Sequence, residues 1–229
     1  MWSTHPTATP IRGVSGVVMV AALALVASGA GQPESKAGGT PAGPAATAPP
    51  VVRETRKSLL EAFDDEINVK TRYQAAAKIA EGEGYPDVAR LFRACARAEE
   101  VHAGEHVHAI AWSGDEARAV LERLALGTTV ENLRVAIDLE TYEATQRYPA
   151  LLAQARAEHM TAAVRSMNFA LAAEREHGRL FTAALETLEQ RPAPRTFHVC
   201  PTCGKTTTAL DFKKCPNCFT AAKKFIQVD

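Results

Sequence analysis

Three things are scarce in this chain of 229 residues: net charge, aromatic side chains and scattered cysteine. The 26 basic and 26 acidic side chains cancel. A protein that holds nucleic acid by its phosphates carries a basic surplus, so that partner class is set aside. Aromatics make up only 6% of the residues. With alanine abundant beside them, the composition leans to helix. Of the five cysteines, four fall after residue 199, which excludes a disulfide framework spread over the chain and points to one local site.

The N-terminus lacks the marks of a folded segment. Residues 14–27, VSGVVMVAALALVA, are apolar and uncharged, with Arg12 before them and SGA at 28–30. The run is shorter than the roughly 20 residues a membrane helix needs. Its basic flank and small residues read as a secretory signal over 1–30, cut after Ala30. An uncleaved anchor is the alternative. No cysteine follows for lipid attachment, and a single Arg gives no twin-arginine signal. Residues 31–52 are rich in Gly, Pro, Ala and Thr and read as a flexible linker. The protein is therefore expected to be exported, to a periplasm.

Residues 53–190 carry helical periodicity almost throughout. Leu59, Phe63, Glu66, Lys70, Tyr73 and Ala77 recur at helical spacing. EGEGYP at 81–86 breaks that helix, and Pro86 suits the first turn of the next. Val88, Leu91, Phe92, Cys95, Glu99 and His102 share a second stripe. Residues 112–127 read as a longer connection with a short helical piece, and Thr128 with Glu131 as a capping box. A third helix presents Leu133, Ile137, Glu140, Ala144 and Tyr148, with Pro149 expected to kink or end its first segment. A fourth runs from about Glu158 to Leu188. Four helices with one long crossover give an all-α four-helix bundle. Residues 191–196 are a linker, and 197–229 form a small Cys-rich module.

The halves resemble each other: Glu66 to Glu99 spans 33 residues and Glu140 to Glu174 spans 34. Each half ends in Glu-x-x-His, Glu99/His102 and Glu174/His177. Residues three apart share a helix face, so each pair aims a carboxylate and an imidazole at one point. One such pair on a helix is commonly solvated. Two at matching places, each with an upstream Glu on an apolar face, make the ligand set for two iron or manganese ions inside a bundle. Glu143 also faces inward and has Val69 as its counterpart, so the site should be asymmetric. His106, His108 and His159 lack such partners and read as surface residues. Cys95 reads as a small core residue.

In the tail, Cys200-x-x-Cys203 and Cys215-x-x-Cys218 flank eleven residues. Two such knuckles set four thiolates around one ion, iron or zinc. Two disulfides are the alternative that export would favour.

Together these residues resemble the rubrerythrin family over about 53–229. LLEAFDDEINVKTRYQAAAKIAEGEGYPDVARLF, AEEVHAGEH, TTVENLRVAIDLETYEATQRYP and AEREH match its ferritin-like domain in order, and the tail looks like its rubredoxin-like iron–tetrathiolate domain. The resemblance implies that Glu66 and Glu140 are terminal ligands of two irons, bridged by Glu99 and Glu174, with His177 on the iron of Glu140. It implies that Glu143 binds the first iron in the diferric state and that His102 replaces it on reduction. Tyr73 and Tyr148 match tyrosines that hydrogen-bond ligand carboxylates. It further implies a peroxidase that reduces hydrogen peroxide to water, fed with single electrons from the tail iron by an unknown donor, as a head-to-tail homodimer. The departures are Asp65 and Ile67 beside the first ligand, Lys205 and Phe219 after the knuckles, and the exported N-terminus. A ferroxidase or iron-handling protein that uses oxygen, and a non-catalytic protein with zinc in the four-cysteine knuckle, are the competing expectations.

Overall fold

The computed structural model describes residues 50–111 and 116–229. The signal expected over 1–30 and all but the end of the linker expected over 31–52 lie outside the described residues. The linker's last three residues already belong to the first helix, α1, Pro50–Gly82. The other helices are α2 (Pro86–Ala111), α3 (Thr129–Tyr142), α4 (Tyr148–Ala157) and α5 (Thr161–Glu186). None of the described helices is long and apolar enough to cross a membrane.

Local chemistry sets the boundaries. α1 stops in a Schellman motif: Tyr85 N–H reaches Ala80 O (2.8 Å), Gly84 N–H reaches Glu81 O (3.1 Å), and Gly84 takes φ +79°. α3 starts on the expected capping box, in which Thr128 and Glu131 satisfy each other's backbone. α4 stops in a second Schellman motif, where Met160 N–H reaches Ala155 O (2.9 Å) and His159 takes φ +55°. His159 is exposed, as is His108.

Two expectations are corrected. Pro149 is not what ends the first segment of the third helix, which gives way at Tyr142, well before it. The chain passes from α3 into a π-helical segment, Glu143–Arg147, and on into α4, with Tyr148 N–H bonded to Glu143 O. The wider turn ends just before the proline and takes up one extra residue. Nor is there a helical piece among the described residues of the crossover, 116–128. Side chains of α1 capture its backbone instead. Asp64 accepts from Val120 N–H (2.6 Å), while Asn68 donates to Val120 O (3.0 Å) and accepts from Glu122 N–H (2.9 Å). A backbone satisfied this way gains nothing by coiling.

The bundle interior has two apolar ends with a polar middle. At one end Tyr73, Phe92 and Phe181 pack with ring centroids 5.0–5.6 Å apart. At the other Leu59, Ile110, Leu152 and Met167 close the core. Between them are buried carboxylate and imidazole side chains from α1, α2, α3 and α5, six of which gather into two groups.

The tail folds into an antiparallel sheet of order β2–β1–β3, with β1 at Phe197–Val199, β2 at Thr206–Thr207 and β3 at Ile226–Val228. The linker is pinned to the bundle. Arg195 forms a two-pronged ion pair with Asp87 at 2.6–3.2 Å, and Arg191 lies 4.7 Å over the Tyr85 ring.

Candidate metal centres

α1 and α2 carry Glu66, Glu99 and His102 inward, and α3 and α5 carry Glu140, Glu174 and His177. All six are at most 1% exposed. They form two interlocking groups whose donor atoms lie within 4.8 Å of one another: Glu66, Glu99, His102 and Glu174; and Glu99, Glu140, Glu174 and His177. Glu99 and Glu174 belong to both. His102 Nδ1 is 2.8 Å from Glu99 and 3.0 Å from Glu174, and His177 Nδ1 is 3.0 Å from Glu174 and 3.3 Å from Glu99.

Four carboxylates in a dry core repel one another and lose hydration. Burial, then the Glu99 charge, pushes Glu174 up to about 8. Glu99 also rises through burial. For Glu66 burial acts upward as well, but the neighbouring imidazoles of His102 and His106, 3.8 and 3.6 Å away, outweigh it and hold the carboxyl well below its ordinary range. Burial acts against charge on His102 and His177, yet their carboxylate neighbours, with Cys95 for His177, raise both well above an ordinary imidazole.

One oxygen of each carboxylate, Glu66 Oε2, Glu99 Oε1, Glu140 Oε2 and Glu174 Oε1, is buried without a hydrogen-bond partner. The opposite oxygen of Glu140 and of Glu66 is held by a tyrosine: Tyr73 donates to Glu140 Oε1 at 2.6 Å and Tyr148 to Glu66 Oε1. Buried oxygens left over in this pattern, with imidazole nitrogens between them, fit two hard-to-borderline cations.

Glu143 is buried but joins neither group. Its carboxyl is pushed well up by burial and by Glu66, and it lies 3.6 Å from Arg147, which is ion-paired with Asp65. The π-helical segment explains the unequal half-repeats. Glu66 to Tyr73 is seven residues, Glu140 to Tyr148 is eight, and Tyr73 to Glu99 matches Tyr148 to Glu174 at 26. The extra residue is the one the π turn absorbs, which returns Tyr148 to the inner face.

His106 corrects a further expectation, since it is fully buried instead of on the surface. It is one turn beyond His102 on the same face, which was the available signal. Its partners Ser166 and Tyr148 come from distant chain. Cys95 is buried, as expected of a core residue.

In the tail all four thiols are free, with Sγ atoms of Cys200 and Cys218, and of Cys203 and Cys215, 3.5 Å apart. A tetrahedron of 2.3 Å metal–sulfur bonds has edges of about 3.8 Å, so the spacing suits one ion and not the expected alternative of disulfides. A hydrogen bond shared with Cys203 pushes Cys200 down to about 5 and Cys203 upward. The first knuckle lies directly on the bundle site. A Cβ on Gly204 would collide with His102 Nε2, and His177 Nε2 is 3.0 Å from Thr206 Oγ1. The closeness of tail and bundle, for which a head-to-tail dimer was the expected means, exists here within one chain. A cavity of ≈ 580 Å³ on the α3–α5 side is lined by Glu140, Glu174, Ala144 and Gly178 among others.

Residues 57–185 match the family model described as rubrerythrin. Rubrerythrin-2 of Clostridium acetobutylicum is 31% identical over 175 residues, 75% of this chain and 95% of the relative. Nigerythrin of Nitratidesulfovibrio vulgaris is 34% identical over 176 residues, 76% of this chain and 86% of the relative. The solved structure of fully reduced, all-ferrous nigerythrin superposes with a TM-score of 0.70 at 34% identity, over 76% of this chain and 86% of that one. Bacterioferritin of Mycobacterium tuberculosis shares the fold, with a TM-score of 0.55 at 21% identity over 60% of this chain and 87% of that one.

Proposed function

The chain belongs to the rubrerythrin family, and on that premise we propose that it is a non-haem diiron peroxidase. It reduces hydrogen peroxide to water, taking two electrons and two protons per peroxide to give two waters. The observation that carries this reading is the pair of donor groups that share Glu99 and Glu174. Glu66 and His102 would hold one iron and Glu140 and His177 the other, with Glu99 and Glu174 bridging. Bound there in the ferrous state, iron would supply the two electrons, one from each ion.

The chain's own residues do the rest. Tyr73 and Tyr148 hold the terminal carboxylates in place by donating to one oxygen of each. The α3–α5 cavity gives a molecule the size of peroxide a way to Glu140 and Glu174. Glu143, poised beside Arg147, would exchange with His102 on the first iron as the charge of the site changes. Cys200, Cys203, Cys215 and Cys218 would hold a third iron, which would supply single electrons, and the Gly204–His102 and Thr206–His177 contacts would bring this tail against the bundle site. The electrons would come from a donor outside the chain. Export is part of the same proposal: N-terminal sequencing of the native protein should begin at residue 31, a start at Met1 with the protein in the membrane fraction would give the uncleaved anchor, and a cytoplasmic location would sink export.

The test is metal analysis followed by single-turnover oxidation. Three irons per chain are expected, and peroxide should oxidise the reduced bundle in the wild type and not in Glu99→Ala. No oxidation by peroxide would overturn the reading. Fast oxidation by oxygen with transferable ferric iron would favour iron handling, and zinc in the tail with a metal-free bundle would favour a scaffold.

A further inference from the structure

The two tyrosines that brace the site are matched in sequence but not in surroundings. Tyr73 Oη donates to Glu140, and its ring is enclosed by Phe92 and Phe181. Tyr148 Oη donates to Glu66 and also meets His106 Nε2 at 3.0 Å, and His106 Nδ1 meets Ser166 Oγ at 2.5 Å. His106, Tyr148 and Ser166 are at most 2% exposed, so no water competes for these bonds.

Counting protons orients the chain. A carboxylate oxygen only accepts, and a phenol has one proton to give. With that proton on Glu66, the lone pair of Tyr148 Oη must accept from His106, which places a hydrogen on Nε2. In the neutral ring Nδ1 is then the bare acceptor, and Ser166 donates to it. The opposite tautomer would turn the Tyr148 proton toward His106 and leave Glu66 Oε1 bare in the core, an unpaired buried acceptor.

We infer that His106, set by Ser166, is a positioning residue that forces Tyr148 to donate to Glu66 and so orders one of the two metal positions, while the Glu140 position has no such device among the described residues. This rests on the metal-binding reading of Glu66 given above. Outer partners of this kind carry about 10–100-fold in metal affinity.

Cobalt(II) titration against a competing chelator, followed by visible absorption, tests it. Thiolate bands report the tail separately from the bundle. In His106→Leu one bundle ion should weaken about 10–100-fold, with the second ion and the tail unchanged. His106→Gln, which keeps a donor toward Tyr148 without a titrating ring, should recover most of the loss. Equal affinity in His106→Leu, or a Gln variant no better than Leu, would overturn the inference. Should the Leu variant not fold, nitrogen-15 spectra of the wild type decide: the hydrogen should be on Nε2, with the Nδ1 resonance moving in Ser166→Ala, and a hydrogen on Nδ1 would overturn the inference. A wild-type bundle that takes up no cobalt would instead defeat the metal reading and the inference with it.

Discussion

The residue after each Cys-x-x-Cys pair takes a positive φ, +71° at Gly204 and +64° at Phe219. Both close the same turn, with Gly204 N–H on Cys200 O and Phe219 N–H on Cys215 O. Glycine adopts this conformation freely, whereas a side chain there costs about 1–2 kcal/mol. Phe219 is also 75% exposed, so little packing offsets the strain. Phe219→Gly should therefore stabilise the metal-loaded tail by about 1 kcal/mol in denaturant unfolding; no gain would remove the strain argument. Gly204 is constrained twice, by its φ and by His102. Gly204→Ala should lift the knuckle and slow electron passage from tail to bundle by on the order of tenfold or more, with the tetrathiolate spectrum unchanged. At this scale the sequence is most readable where spacing carries chemistry. Three-residue steps disclose Glu99/His102 and Glu174/His177, and the knuckles disclose the four thiols. The burial of His106 is not readable in this way, because its partners are 42 and 60 residues away and form no local pattern.

Helix ends are legible for the same reason that they are stable, since capping groups and the groups they satisfy are near neighbours in sequence. The Thr128–Glu131 box and the Gly84 turn show this. The crossover is not legible, because Asp64 and Asn68, which fix it, are over fifty residues upstream. Asn68→Ala should leave the bundle folded while amides over 116–126 exchange faster, and unchanged exchange would mean that the crossover holds itself. The π-helical segment leaves one trace, the single-residue mismatch between half-repeats, which has meaning only once the turn is seen. His159 shows an element ended by a residue poorly suited to it. His159→Gly at φ +55° should raise the melting temperature by an amount equivalent to about 0.5–1 kcal/mol.

For the whole molecule, protons and metal ions compete for the same cage. In the metal-free protein Glu174 is held up to about 8 from an ordinary 4.5, and His102 and His177 are raised well above theirs. The folded state thus keeps protons that the unfolded chain releases across that window, and stability falls as pH rises through it. Glu66, whose carboxyl is depressed, acts only at lower pH, where its contribution is lost as pH falls. Chelated protein should melt at progressively lower temperature from about pH 5 to 8, and metal-loaded protein should not, because cations replace the protons. A flat profile for the chelated protein would contradict the electrostatics of the cage. Tail and bundle also meet within one chain, so the electron-transfer rate between them should not change on dilution; a rate proportional to protein concentration would require a second copy.

The first knuckle touches both imidazoles, one from each half-repeat, through residues only two apart, Gly204 and Thr206. If the tail feeds electrons to the bundle as proposed, a single donor would stand astride the two half-repeats and reach each metal position through one contact. Path length would then do little to select which position is reduced first. That choice would fall to the surroundings, a phenol in an aromatic cage on one side and a phenol bonded to His106 on the other, so the order of reduction would be set by the scaffold and not by the path.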